Sequence, residues 1–205
     1  MIDPLTISPA LWRARSLTAA TPLRGLPAAP SLTSLLPHGC WPAKAVSEIL
    51  YDETGSGECS ILMLTVVSAT QQQIWSAAIG MPHEWLAGSL SAVGVNLNYW
   101  LVLQPFNDAL KIWAAEQMLQ SRVGLLLLWL SRLDMRASRR LQLAAQQANA
   151  TVIVLTPMTR HPIATAATLR LALQANEHGL TLHLLKCRGR LPTQQSIPFM
   201  PQGVV

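Results

Sequence analysis

Five short apolar runs recur along this chain, and a stretch with helical periodicity follows each of the first four. No other feature limits the fold as much. AVSEIL (45–50) precedes GECSILMLTVVSATQQ (57–72), and IWSAAI (74–79) precedes HEWLAGSLSAVG (83–94). YWLVLQ (99–104) precedes FNDALKIWAAEQMLQS (106–121), and VGLLLLWL (123–130) precedes DMRASRRLQLAAQQAN (134–149). The fifth run, TVIVLT (151–156), is rich in β-branched residues. Short runs that stay apolar without alternating read as strands buried on both faces. Repeated strand–helix units predict a parallel sheet with helices on both faces. Gly94 is expected to end the second helix, Asn107 or Asp108 to cap the third, and Asp134 to start the fourth. ATLRLALQ (167–174) and LTLHLLKC (180–187) alternate with period two around ANEHG, the pattern of an antiparallel hairpin. The predicted class is therefore α/β: a three-layer fold with a mainly parallel central sheet and a C-terminal β-hairpin.

The 205 residues suit one main domain. Residues 1–36 are rich in Pro and Ala and read as an irregular arm, with one helical turn around ALWRARSL. The body runs from 37 to 189. Residues 190–205 read as a flexible tail with three prolines and no charge from Leu191 onward. The longest unbroken apolar stretch, GLLLLWL (124–130), is far below the ~20 residues a membrane-spanning helix needs. Only 12% of residues are charged. So low a fraction predicts a sticky surface and a permanent protein partner. The net charge of +5 permits weak contact with nucleic acid without demanding it. Cys40, Cys59 and Cys187 are too few and too scattered for a disulfide framework or a zinc site. They fit a reduced cytoplasm, and the N-terminus carries no apolar run of signal-peptide length.

DETGSGECS (52–60) lies between the first strand and the first helix, where a phosphate-binding loop would sit. Such a loop reads G-x-x-x-x-G-K-[ST]: amides cradle the phosphates, the Lys neutralises them, and the hydroxyl holds magnesium. With Gly57 as the second glycine, Asp52 replaces the first, Glu58 replaces the Lys, and Cys59 replaces the Ser/Thr. Two carboxylates would then face a triphosphate. Like charges about 4 Å apart repel by about 4 kcal/mol at a partly buried site. The acid expected after a later strand is missing too, because LLLLWLSRLD offers Trp129 and Ser131 there. Gly55-Ser56-Gly57 is only a fragment of a dinucleotide fingerprint: Ser60 replaces its third glycine, and Ala77 and Ala78 stand where its acid belongs. No nucleotide cofactor and no catalysis are expected. Lys44 is the only lysine near the loop in sequence that could revive hydrolysis.

His38, His83, His161, His178 and His183 show no metal-ligand spacing, and no nucleophilic triad can be singled out. Trp113 and Trp129 read as core, while Trp12 and Trp41 read as anchors against a partner or another part of the chain. Arg122, Arg132, Arg136, Arg139 and Arg140 cluster in sequence with Asp134 as the only acid among them. With Arg160 in MTRHP (158–162), they form a candidate patch for DNA or a partner protein. In the tail, QQSIPF places Gln194, Ile197 and Phe199 at the spacing of short peptides that dock on bacterial sliding clamps.

Several stretches, in order, resemble the RecA-like SOS-response proteins called ImuA and, more distantly, the SulA cell-division inhibitors. They are LWR (11–13), LPHGCWPAKAVSEIL (36–50), MPH (81–83), WAAEQMLQS (113–121), RRLQLAA (139–145) and LHLLKCRG (182–189). Cys40 stands where a further glycine is usual in that family. The resemblance implies a RecA-like core without ATPase competence. It also implies an accessory role in damage-induced translesion synthesis, beside an inactive Y-family polymerase homologue (ImuB) and an error-prone DNA polymerase. A sliding clamp or RecA would be further partners. The SulA likeness implies instead an inhibitor that binds the division GTPase FtsZ. SulA-like chains typically lack an extended hairpin and tail after the last parallel strand, so the segment from Leu169 to Phe199 favours the first reading.

Overall fold

The computed structural model describes residues 25–52, 57–83, 85–160, 163–176, 179–187 and 193–195. The elements follow the expected order. Strand β1 (Ala45–Tyr51) leads to helix α1 (Glu58–Gln71), β2 (Ser76–Ile79) to α2 (Ala87–Ala92), and β3 (Trp100–Leu103) to α3 (Asp108–Gln120). Then come β4 (Leu125–Trp129), α4 (Met135–Ala148), β5 (Thr151–Pro157), β6 (Leu169–Asn176), β7 (Gly179–Cys187) and β8 (Thr193–Gln195).

The eight strands form one sheet in the order β3-β2-β4-β5-β1-β6-β7-β8. Pairing is parallel from β3 through β6 and antiparallel from β6 to β8. The β6–β7 hairpin forms as the period-two pattern predicts. Alternation along β4 shows how the layers are filled. Leu125, Leu127 and Trp129 point to one face, packed beneath Ile61, Leu62 and Val66 of α1 and Leu90 of α2. Leu126 and Leu128 point to the other, beneath Ala114, Ala115 and Leu119 of α3 and Leu141 and Ala145 of α4. A strand sandwiched this way must be apolar at every position, which is why LLLLW carries no alternation.

The caps act locally. Asn107 Oδ1 accepts the Leu110 amide at 2.9 Å, and Asp134 Oδ1 accepts the Ala137 amide at 2.7 Å. Each satisfies one of the orphan donors of a helix start. Asn149 closes α4 in the left-handed region at φ 58°.

Two boundaries differ from the sequence reading. Residues 25–36 belong to the core: Ala28, Ala29, Leu32, Leu35 and Leu36 are all buried. Trp41 fastens this segment. Its Nε1 donates to Thr65 Oγ1 at 3.0 Å, and that hydroxyl donates to the Pro27 carbonyl at 2.8 Å. At the other end, Thr193–Gln195 pairs with β7 as an edge strand, so part of the predicted tail belongs to the sheet. Trp12 and the helical turn expected around ALWRARSL lie outside the described residues.

One buried charge pair ties β1 to β6. Glu48 and Arg170 are register partners on adjacent strands, and Arg170 Nε donates to Glu48 Oε2 at 2.7 Å. The same oxygen accepts Thr165 Oγ1 at 2.8 Å. Glu48 is 2% exposed, so these donors replace the water its carboxylate gives up.

Candidate functional site

The two described flanks of the loop after β1, Asp52 and Gly57, both meet the C-terminal hairpin. The Asp52 amide donates to the Leu173 carbonyl of β6 at 3.2 Å, so the pairing of β1 with β6 runs past the end of the strand. Asp52 itself is exposed. Residues 53–56, Gly55 among them, lie outside the described residues. Gly57 enters α1 at φ 101°, a conformation that favours glycine. Leu180 of β7 packs against it: a Cβ on Gly57 would stand 2.8 Å from Leu180 Cδ1. Glu58 opens α1 with only 1% exposure. It places a carboxylate at the positive end of the helix dipole, where the anion of a bound ligand would otherwise lie.

Cys59 follows in the first turn of α1. Burial, and then the Glu58 charge beside it, push its thiol up to about 11, against the opposing effect of a hydrogen bond from Trp85. Trp85 organises an aromatic group on the same face of the sheet. It stacks on Trp100 (centroids 5.7 Å, interplanar 3°) and meets Trp129 edge-on (6.1 Å, 87°). The indole Nε1 atoms of Trp100 and Trp129 are buried with no hydrogen-bond partner, so ring packing holds these two in place. Trp129 ends β4 at the position read above as the missing magnesium-binding acid, and it is buried as expected. The space beside α1 is thus occupied by indole, thiol and leucine side chains.

On the opposite face, at the crevice between the ends of β2 and β4, a polar group gathers that sequence reasoning missed. Asp108 Oδ2 accepts the Ser131 amide at 2.9 Å and also its hydroxyl. Lys111 Nζ lies 3.7 Å from Asp108 Oδ1. Its aliphatic end occupies the space a Cβ on Gly80 (φ 68°) would need. The chain reverses its direction of travel across the sheet at this point, the place where open α/β sheets form crevices. Asp108 read from sequence as a helix cap; its spacing of 23 residues from Ser131 carries no local signal.

Arg132, Arg136, Arg139, Arg140 and Arg160 are all exposed. They do not make a bare cationic surface. Arg140 Nη2 is paired with Glu116 of α3, an acid distant in sequence that the fold brings among the arginines. Arg136 and Arg140 line a cavity of about 330 Å³ together with Asp134. Arg122 and Arg140 line another of about 440 Å³ with Glu116 and Leu143 between α3 and α4. Asp134 is therefore not the only acid in the patch, as its sequence neighbourhood suggested.

Trp113 is a second correction. Expected in the core, it is 58% exposed, on the side of α3 that meets neither sheet nor α4. Gln194 lies in β8 opposite His183, while Ile197 and Phe199 lie outside the described residues. Lys44 precedes β1, at the end of the strand far from the loop. Seven residues at about 3.3 Å each separate it from Asp52, so nearness in sequence is not nearness in space. Among the described residues, no group of His, Cys, Asp and Glu could hold a metal ion, and no helix is long and apolar enough to cross a membrane. Compared with known proteins, the chain matches no family model and no curated protein.

Proposed function

We propose that this chain is a non-catalytic adaptor of damage-induced translesion synthesis, a RecA-like scaffold acting in the cytoplasm. Its partner is an ImuB-like homologue of Y-family polymerases, which it holds in one assembly with an error-prone DNA polymerase. The observation that carries the reading is Glu58. A phosphate-binding loop needs a cation and a hydroxyl at the head of the helix, whereas this chain buries a carboxylate there and follows it with a thiol of raised pKa. Leu180 and the tryptophan group occupy the adjoining space. Such a scaffold keeps the shape of a nucleotide-binding fold without the means to use a nucleotide. Its low charge and exposed apolar side chains suit a standing protein partner. The arginines of α4 and Arg160 serve a DNA or acidic-protein contact, moderated by Glu116 and Asp134.

The test has two arms. Magnesium ATP at about 100 times a micromolar Kd would stabilise a binding-competent fold by about 2.7 kcal/mol. We expect no shift in Tm, and a shift of that size would overturn the reading of the loop. In the second arm, the tagged chain should capture an ImuB-like protein made in the same cell. Capture of FtsZ in its place would move the chain to the SulA-like reading.

A further inference from the structure

We infer that β3 is a self-association edge, through which two copies of this chain pair antiparallel about a two-fold axis at Val102. The inference does not depend on the adaptor reading. Among the described residues, β3 ends the sheet and pairs only with β2. The Gly80 amide donates to the Leu103 carbonyl, so the backbone of Leu103 faces inward. By the alternation of a strand, the amide and carbonyl of Val102 face the open side. Two residues opposed across an antiparallel seam exchange both hydrogen bonds when their groups face outward, and Val102 can do this with its own copy.

Charge selects the occupant. The chain carries a net charge of +5, so two copies repel weakly where their basic surfaces meet. Residues 59–107 contain one charged side chain, Glu84, and residues 85–107 contain none. Two copies therefore meet at this edge without opposing charges, and among the described residues β3 is the longer of the two open edge strands, β8 spanning only Thr193–Gln195. The edge lacks the lysines and inward charges that natural proteins use to keep such strands apart. Leu101 and Val102 are 38% and 46% exposed, and Leu97 beside them is 40% exposed. A two-fold axis normal to the sheet puts α3 of both copies on one face of the joined sheet. Phe106, just beyond the end of β3, is exposed as well. Leu97, Leu101, Val102 and Phe106 thus leave an apolar strip along this edge.

Sedimentation equilibrium of the full chain, from about 1 to 100 μM, tests this. The wild type should be a dimer. Val102→Pro removes an outward amide that β2 does not use, and Val102→Lys places a charge at the seam. Each should weaken association at least about 100-fold with an unchanged far-ultraviolet spectrum. If the proline variant fails to fold, the lysine variant decides. Val102→Cys should form an intermolecular disulfide on mild oxidation, because directly opposed strand residues lie about 5.5 Å apart. A wild-type chain that stays monomeric at 100 μM, or a lysine variant that dimerises as the wild type does, overturns the inference.

Discussion

Leu180 of β7 fills the space a side chain would need on Gly57. An added Cβ would approach its Cδ1 to 2.8 Å. The start of α1 and the first turn of the hairpin strand are thereby fitted to each other across more than a hundred residues of sequence. The hairpin packs against the start of α1 as well as extending the sheet.

The fit can be separated into two costs. Gly57→Ala must carry φ 101°, a strained value for an L-residue, and must displace Leu180. We expect about 1–2 kcal/mol of destabilisation by urea titration. In a Leu180→Ala background the contact is gone but the backbone strain persists. Gly57→Ala should then still cost about 1 kcal/mol.

The pair between Glu48 and Arg170 should be far more sensitive. Arg170→Met leaves a carboxylate of 2% exposure without its ion partner and should cost about 3–5 kcal/mol. Thr165→Ala removes one hydrogen bond to the same oxygen and should cost about 1–3 kcal/mol. Both should lower the urea midpoint without changing the slope.

Cys59 should behave as a reluctant thiol. With its pKa pushed up to about 11, it should alkylate more slowly at pH 8 than the partly exposed Cys40. The sign of the linkage follows. The native state holds the thiol proton more tightly than the unfolded chain, whose ordinary value is 9.0. Stability from this group is intact below pH 9 and declines from there to about pH 11. Cys59→Ala should flatten that alkaline decline in thermal unfolding curves.

The caps offer a smaller effect. Asp134→Ala should cost about 1 kcal/mol, and Asp134→Asn should recover most of it because the amide oxygen can still accept from Ala137. Differential scanning calorimetry of both variants checks the ranking.

Local pattern was enough to determine the strand–helix order, the Asp134 and Asn107 caps, the hairpin and the acid at the head of α1. Each of these is a preference of neighbouring residues: apolar period, side-chain reach to a nearby amide, or charge at a helix start. Periodicity places Leu110 and Trp113 on one stripe of α3, but it does not say whether anything covers that stripe. Only the packing of α3 against the sheet and α4 left Trp113 outside. Nor does sequence proximity predict Glu116 beside Arg140, Ser131 on Asp108, or Trp85 against Cys59. The same holds for residues 25–36. Their prolines suggested an arm, and the hydrogen bonds from Trp41 through Thr65 to Pro27 made them part of the core. These contacts join segments separated by dozens of residues, and they form only once the sheet order has set which ends and faces meet.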